Sequence, residues 1–275
     1  MSAPWYRSGE ALLAEITSTE VPKDAIALWF LSQESMVFKS GKRVIYIDPF
    51  LSPGEKRKYA PPFSPEQVSN ADWIVGTHHH RDHIDPATLG PMAKASPEAR
   101  FVVPAPHVHM LTAVGIDPGR ITKAHADQRL ELGDFAVTPI KAAHETFETD
   151  ESGDHKFLGY VFEFGGIRLY HAGDTVDYPG LVERLKGFDL HVACLPINGH
   201  DRKRNARNIV GNLTPREAVD LGVDCGADLL IPLHYDLFFG NQENPATFVD
   251  YLYGNYPNQK FHIMAPGERF FYLLR

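Results

Sequence analysis

The sequence predicts an α/β fold in which two β-sheets pack together with helices on both outer faces. Three observations predict it. Strand-like runs come first, alternating helical and strand-like runs follow, and this order returns in the second half of the chain. No linker or compositional break divides the 275 residues, so they are read as a single domain, 1–275. Residues able to bind metal ions stand repeatedly at the ends of strand-like runs, where sites in α/β proteins gather.

Residues 8–18 read as a short amphipathic helix with Leu12, Leu13 and Ile16 on one face. Strands follow at 25–31, 36–39 and 43–47, with Ser40-Gly41-Lys42 as the turn between the last two. Asp48-Pro49-Phe50 ends the third strand. The Pro-rich stretch 51–66, carrying Glu55-Lys56-Arg57-Lys58, reads as a solvated loop, with a mobile lid or an intersubunit arm as the sharper alternative. A short buried strand is expected over 71–77 and a helix over 86–94, with Asp85 at its N-cap and Pro86 at its first position. A strand at 100–103, a helix at 107–115 and strands near 121–123, 129–131 and 135–142 come next. The acidic stretch 145–156 is a loop, and 157–164 with 167–170 form a hairpin over Gly165-Gly166. A helix at 177–186, a buried strand at 190–195 and a long polar loop at 198–212 follow. Thr214-Pro215-Arg216-Glu217 opens a helix with a capping-box pattern. A strand at 229–232, a helix at 246–252 and strands at 260–264 and 269–273 close the chain.

Composition is that of an ordinary globular protein, 43% hydrophobic and 23% charged. With 27 basic and 35 acidic residues the net charge is −8, which disfavours long nucleic acid as a partner. Two cysteines, Cys194 and Cys225, are no disulfide framework, and Cys194 reads as a small buried residue. No signal peptide and no run of about 18 apolar residues is read, so the expectation is a cytoplasmic protein with no membrane partner. A homo-oligomer is the expected assembly.

The densest chemistry lies in His78-His79-His80-Arg81-Asp82-His83. Its internal position, with Arg and Asp inside the run, argues against a tag. A strand before it and a capped helix after it argue against a merely solvated loop. On an extended segment alternate side chains face one way, so His78 and His80 can share one ion. Asp82 and His83 fall at the turn into the helix and can face a second ion. Imidazole with carboxylate suits zinc, iron or manganese. Three later runs end on metal-binding types: 137–143 leads to His144, 167–173 to Asp174 and 229–233 to His234. Singly each is weak, but with the loop they make seven candidate ligands, enough for two metals.

The His-x-His-x-Asp-His motif resembles that of the metallo-β-lactamase-fold hydrolases. Leu28-Trp29-Phe30-Leu31-Ser32-Gln33, Phe38-Lys39-Ser40-Gly41, Ile47-Asp48-Pro49, His171-Ala172-Gly173-Asp174-Thr175 and His234-Tyr235-Asp236 narrow the resemblance to the L-ascorbate 6-phosphate lactonase-like family. Pro196-Ile197-Asn198-Gly199-His200-Asp201 and Gly211-Asn212-Leu213-Thr214 resemble a sister branch. The chain departs from the family pattern in having Ser32 and Glu34-Ser35 around Gln33, and His79 in a spacer position. The resemblance implies a four-layer αββα sandwich. It also implies two divalent metal ions, zinc, manganese or iron: His78, His80 and His144 on the first, Asp82, His83 and His234 on the second, and Asp174 bridging. Two such ions lower the pKa of a shared water to give hydroxide at neutral pH. Asp82 is the expected orienting residue, and His200 or Glu145 the candidate proton donor.

The basic run at 202–207, beside several asparagines, is either a solvated loop or an anion clamp. Asn198, Arg204 and Arg207 are the candidate substrate contacts, since arginine forks suit phosphate and carboxylate oxygens. His107, His109, His171, His191 and His262 read as structural. The expected function is a metal-dependent hydrolase of a small anionic substrate, with a sugar-phosphate lactone first. One alternative is a phosphodiesterase acting on a cyclic nucleotide, phospholipid head group or short RNA. Another is a metal-binding scaffold without turnover. Redox chemistry on di-iron with a flavin partner would need an electron-transfer domain that is not read here.

Overall fold

The computed structural model describes residues 5–274, and the chain divides into two compact units. The first comprises residues up to His125, then Thr149–Lys156 and the chain from Met264 onward; the second comprises Ala126–Glu148 and Phe157–Ile263. Each carries one mixed sheet of seven strands.

In the first unit, helix α1 (Gly9–Ser18) precedes strands β1 (Ala25–Phe30), β2 (Met36–Ser40), β3 (Arg43–Ile47) and β4 (Trp73–Val75). Helix α2 (Pro86–Ala95), strand β5 (Arg100–Pro104), helix α3 (Val108–Thr112) and strand β6 (Ile121–Ala124) follow. β1, β2 and β3 are antiparallel neighbours, whereas β3 to β6 run parallel, and the C-terminal strand Arg269–Leu273 pairs antiparallel with β1 at the outer edge. Leu12 and Ile16 of α1 bury their side chains with Trp29, Tyr46 and Ile74 of the sheet, and Leu89 and Met92 of α2 join the same cluster. α1 is pinned at its C-terminus by buried Lys39, whose Nζ donates to the Ile16 and Thr17 carbonyls at 2.8 and 2.7 Å. Asp85 caps α2 as the sequence predicts. Its Oδ1 accepts from Ala87 N at 3.2 Å and its Oδ2 from the Thr88 hydroxyl at 2.6 Å, a contribution of about 1 kcal/mol for such a cap.

In the second unit, strands β7 (Leu130–Glu131), β8 (Ala136–Lys141), β9 (Leu158–Phe164) and β10 (Ile167–His171) form an antiparallel meander. Helix α4 (Leu181–Lys186), strand β11 (Val192–Pro196), the single turn α5 (Arg202–Asn205) and helix α6 (Pro215–Asp224) come next. Strand β12 (Leu229–Leu233), helix α7 (Pro245–Asn255) and strand β13 (Lys260–Phe261) complete it, and β10 to β13 run parallel. Leu181 and Leu185 of α4, Ala218 and Val219 of α6 and Phe248 and Leu252 of α7 pack with Tyr170, Leu195 and Leu230 of the sheet. The two units therefore repeat one plan: an antiparallel half, then a parallel half whose strands end at one edge.

The structure corrects several expectations. The helix expected over 177–186 begins only at Leu181, because Pro179 precedes Gly180, which is left-handed at φ 95°. The helix expected over 107–115 is a 3-10 turn, Ala105–His107, followed by the five residues of α3. The strand expected over 260–264 is only Lys260–Phe261. The polar loop 198–212 contains α5, capped by Asp201, which accepts from Lys203 N and Arg204 N. The Pro-rich stretch is not wholly solvated: Leu51, Ser52, Arg57 and Phe63 are buried, and Arg57 donates to the Phe50 and Tyr59 carbonyls. Both cysteines are buried free thiols, as expected for Cys194. Among the described residues no helix is long and apolar enough to cross a membrane.

Candidate metal centre

In the first unit β1, β3 and β4 run in one direction, so the segments leaving their C-terminal ends share one edge. Those segments carry Ser32-Gln33, Asp48 and the histidine loop. The loop is not extended: residues 78–80 bend and 81–83 turn, with His83 N and Ile84 N both donating to the His80 carbonyl at 3.0 Å. This bend, rather than strand alternation, brings the His78 and His80 rings to 4.7 Å and the His78 and His83 rings to 3.9 Å. Gly76 is needed for it, since a Cβ there would stand 2.6 Å from Ile84 Cγ1.

Asp48, fully buried at φ 45°, organises the loop from beneath. Its Oδ1 accepts from Thr77 N at 2.8 Å; its Oδ2 accepts from the Thr77 hydroxyl and from His83 Nδ1, each at 2.7 Å. With its proton given to Asp48, the Thr77 oxygen accepts from His78 Nδ1 at 3.0 Å. Both imidazoles are thereby held in the tautomer that leaves Nε2 its lone pair. Asp82 Oδ2 lies 3.7 Å from His83 Nε2 and accepts from Gln33 Nε2 at 2.9 Å. His79, the spacer, sets its ring 5.1 Å from that of His107. His107 is structural as expected: its Nε2 bonds the Lys156 carbonyl at 2.7 Å, and burial pushes its imidazole down to about 4.

In the second unit β8, β10, β11 and β12 share a direction, and their C-terminal ends lead to His144, Asp174, Asn198 and His234. Only His234 follows its strand directly; His144 and Asp174 stand three residues beyond theirs. His144 Nδ1 donates to the Gly211 carbonyl at 3.0 Å, which leaves Nε2 as an acceptor. That Nε2 is 3.4 Å from Asp174 Oδ2, while His234 Nε2 is 3.4 Å from Asp174 Oδ1. Ala143 N donates to the Thr175 hydroxyl at 3.1 Å and Val176 N to the Ala143 carbonyl at 2.8 Å, tying the two ligand segments together. All three side chains are buried.

This donor set fits a divalent cation. An imidazole lone pair facing a carboxylate oxygen at 3.4 Å sets two acceptors against each other, an arrangement that a shared cation makes favourable. Imidazole with carboxylate is also the donor chemistry of zinc, manganese and iron sites.

The expected substrate contacts separate into two groups. Asn198 is buried and its amide is used locally, donating to Asn241 Oδ1 at 3.1 Å and accepting from Asn212 Nδ2 at 3.0 Å. Arg204 is likewise committed: it binds Asp201, the Gln242 carbonyl at 2.7 Å and Asn241 Oδ1 at 3.3 Å. These two residues staple the loop after β11 to the loop after His234. Arg207 is exposed, and among the described residues its guanidinium has no ion-pair partner. His200, expected as a proton donor, is exposed and holds Glu217 of the α6 capping box at 3.1 Å. Glu145 Oε1 accepts from Gly211 N at 3.0 Å, on the loop whose carbonyl orients His144.

Sequence reading gave no supporting role to Asp48, Thr77, Gln33 or Gly211. Asp48-Pro49 at a strand end was a usable signal, because a left-handed Asp beside a rigid residue needs a reason to be there. The Gly211 carbonyl carries no sequence signal.

Residues 43–235 match the model of the β-lactamase superfamily domain. A UPF0173 metal-dependent hydrolase of Anaeromyxobacter sp. (strain K) is 31% identical over 254 residues, covering 87% of this chain and 84% of that protein. Another UPF0173 metal-dependent hydrolase, from Thermococcus onnurineus (strain NA1), is 30% identical, covering 87% and 96%. Among solved structures, Igni18, a metallo hydrolase from the hyperthermophilic archaeon Ignicoccus hospitalis, aligns with a TM-score of 0.73 at 20% identity, covering 91% of this chain and 100% of that one. Its likeness is one of fold alone. The chain belongs to the β-lactamase superfamily domain family, and it is a metal-dependent hydrolase.

Proposed function

We propose that the two ligand sets serve one two-metal centre that hydrolyses a small anionic substrate, with a sugar-phosphate lactone as the first candidate. In this reading His78, His80 and His144 would hold one ion and Asp82, His83 and His234 the other, with Asp174 shared between them. One observation carries it: the two oxygens of Asp174 face different imidazoles, Oδ2 towards His144 and Oδ1 towards His234, each at 3.4 Å. A carboxylate splayed in this way supports a role shared between two ions.

When bound, the ions would supply Lewis acidity and hydroxide near neutral pH. The chain's own residues do the rest. Asp48 and the Gly211 carbonyl hold the ligand imidazoles in the productive tautomer. Asp82 orients the attacking oxygen. Arg207 offers a fork for an anionic group, which favours a phosphate- or carboxylate-bearing substrate in a chain of net charge −8.

The test combines metal analysis with parallel assays on a sugar-phosphate lactone and on bis-p-nitrophenyl phosphate. Two equivalents of metal in the parent, at most one in Asp174→Asn, and turnover of the lactone are the expected results. A single equivalent in the parent removes the bridging role of Asp174. Turnover of the phosphodiester alone replaces the lactone with the phosphodiesterase reading.

A further inference from the structure

The turn that leaves β1 is left-handed at two successive non-glycine residues. Ser32 and Gln33 have φ of 80° and 61°, and both are fully buried. Such a conformation is costly for a non-glycine residue and persists only where its surroundings enforce it. Here they do. Leu31 N donates to the Ser35 carbonyl at 2.8 Å, and Ser35 N to the Ser32 carbonyl at 3.0 Å. The Ser35 hydroxyl donates to the Asp48 carbonyl at 2.6 Å and accepts from Phe50 N at 3.0 Å. The Tyr59 hydroxyl donates to Ser32 Oγ at 2.8 Å, with the Tyr59 ring packed edge-on against Trp5.

What this turn delivers is one amide. Gln33 Nε2 donates to Asp82 Oδ2 at 2.9 Å. The Asp82 side chain is 18% exposed, against 0% for its neighbour His83, and it lies in a turn. A neutral amide can fix it without adding charge. We infer that Gln33 is a positioning residue for Asp82, held in its strained conformation so that the carboxylate stays beside His83 Nε2, with the Tyr59–Ser32 contact bracing the turn. The inference rests on the proposed reading of Asp82 as a ligand.

The test titrates the full-length protein with zinc against a chromophoric chelator, in the parent and in Gln33→Ala, Gln33→Glu and Asp82→Ala. Thermal unfolding of each variant is followed alongside. The expected result for Gln33→Ala is a folded protein whose weaker zinc affinity falls by about 10–100-fold, with kcat reduced and KM within about twofold. Gln33→Glu has the same shape but sets carboxylate against carboxylate, so its loss is at least as large. If Gln33→Ala does not fold, Gln33→Glu decides. Zinc affinity like the parent's in the folded Gln33 variants, with a loss in Asp82→Ala, overturns this inference alone. Zinc affinity like the parent's in Asp82→Ala overturns the ligand assignment and this inference together.

Discussion

Asp48 Oδ2 accepts the Nδ1 proton of His83 at 2.7 Å, and neither residue is exposed. The same carboxylate takes both Thr77 donors, so one side chain fixes the start and the end of the histidine loop. Asn tolerates the left-handed backbone of position 48 but cannot accept from all three donors. Asp48→Asn is expected to weaken metal binding by about 10–100-fold while remaining folded. A chelator-competition titration with a parallel melting curve checks it; metal affinity within twofold of the parent would falsify the supporting role.

Gly211 orients His144 through its carbonyl, and it has no room for a side chain. A Cβ there would stand 2.4 Å from His200 Cβ and 3.1 Å from Glu145 Oε1. Gly211→Val is expected to displace the loop, release His144 Nδ1 and lower kcat/KM by about tenfold or more. Long-range imidazole NMR spectra of the His144 ring, read beside the kinetics, distinguish tautomer loss from general unfolding.

The two arginines of the loop after β11 should behave differently. Arg204→Ala removes the bonds to Gln242 O and Asn241 Oδ1, so it should lower the melting temperature and disturb the loop after His234. Arg207→Ala removes no internal ion pair, so it should leave the melting temperature unchanged and raise KM for an anionic substrate about tenfold. Equal effects of the two changes on stability would contradict this division.

His107 predicts a pH dependence of stability. Burial lowers its pKa to about 4 in the folded protein, from a usual value of about 6.5. Between these values the unfolded chain binds the extra proton, so stability rises with pH. The contribution is complete above about pH 6.5 and is lost as pH falls towards about 4. His107→Gln should flatten the slope in this window, measured by urea unfolding at half-unit pH steps in the metal-free protein.

Much of this was legible in the sequence. The α/β class followed from element order, and both mixed sheets, flanked by helices, bear it out. Asp85 and Pro86 marked the start of α2, and Thr214 with Glu217 marked the start of α6, because capping is local chemistry. What failed also had a local cause: Pro179-Gly180 cut α4 short.

The sequence by itself determined which residue types were available and where the chain would turn. His78, His80, Asp82 and His83 declared metal chemistry because imidazoles and a carboxylate rarely crowd one short loop for any other purpose. Tertiary structure alone decided how those groups are aimed. That Asp48 reaches His83, that Gln33 reaches Asp82, and that Asp174 turns one oxygen to His144 and the other to His234 depend on strands ending at a common edge. Such meetings are set by sheet order and register, and no local pattern of residues encodes the distance between the ends of separate strands.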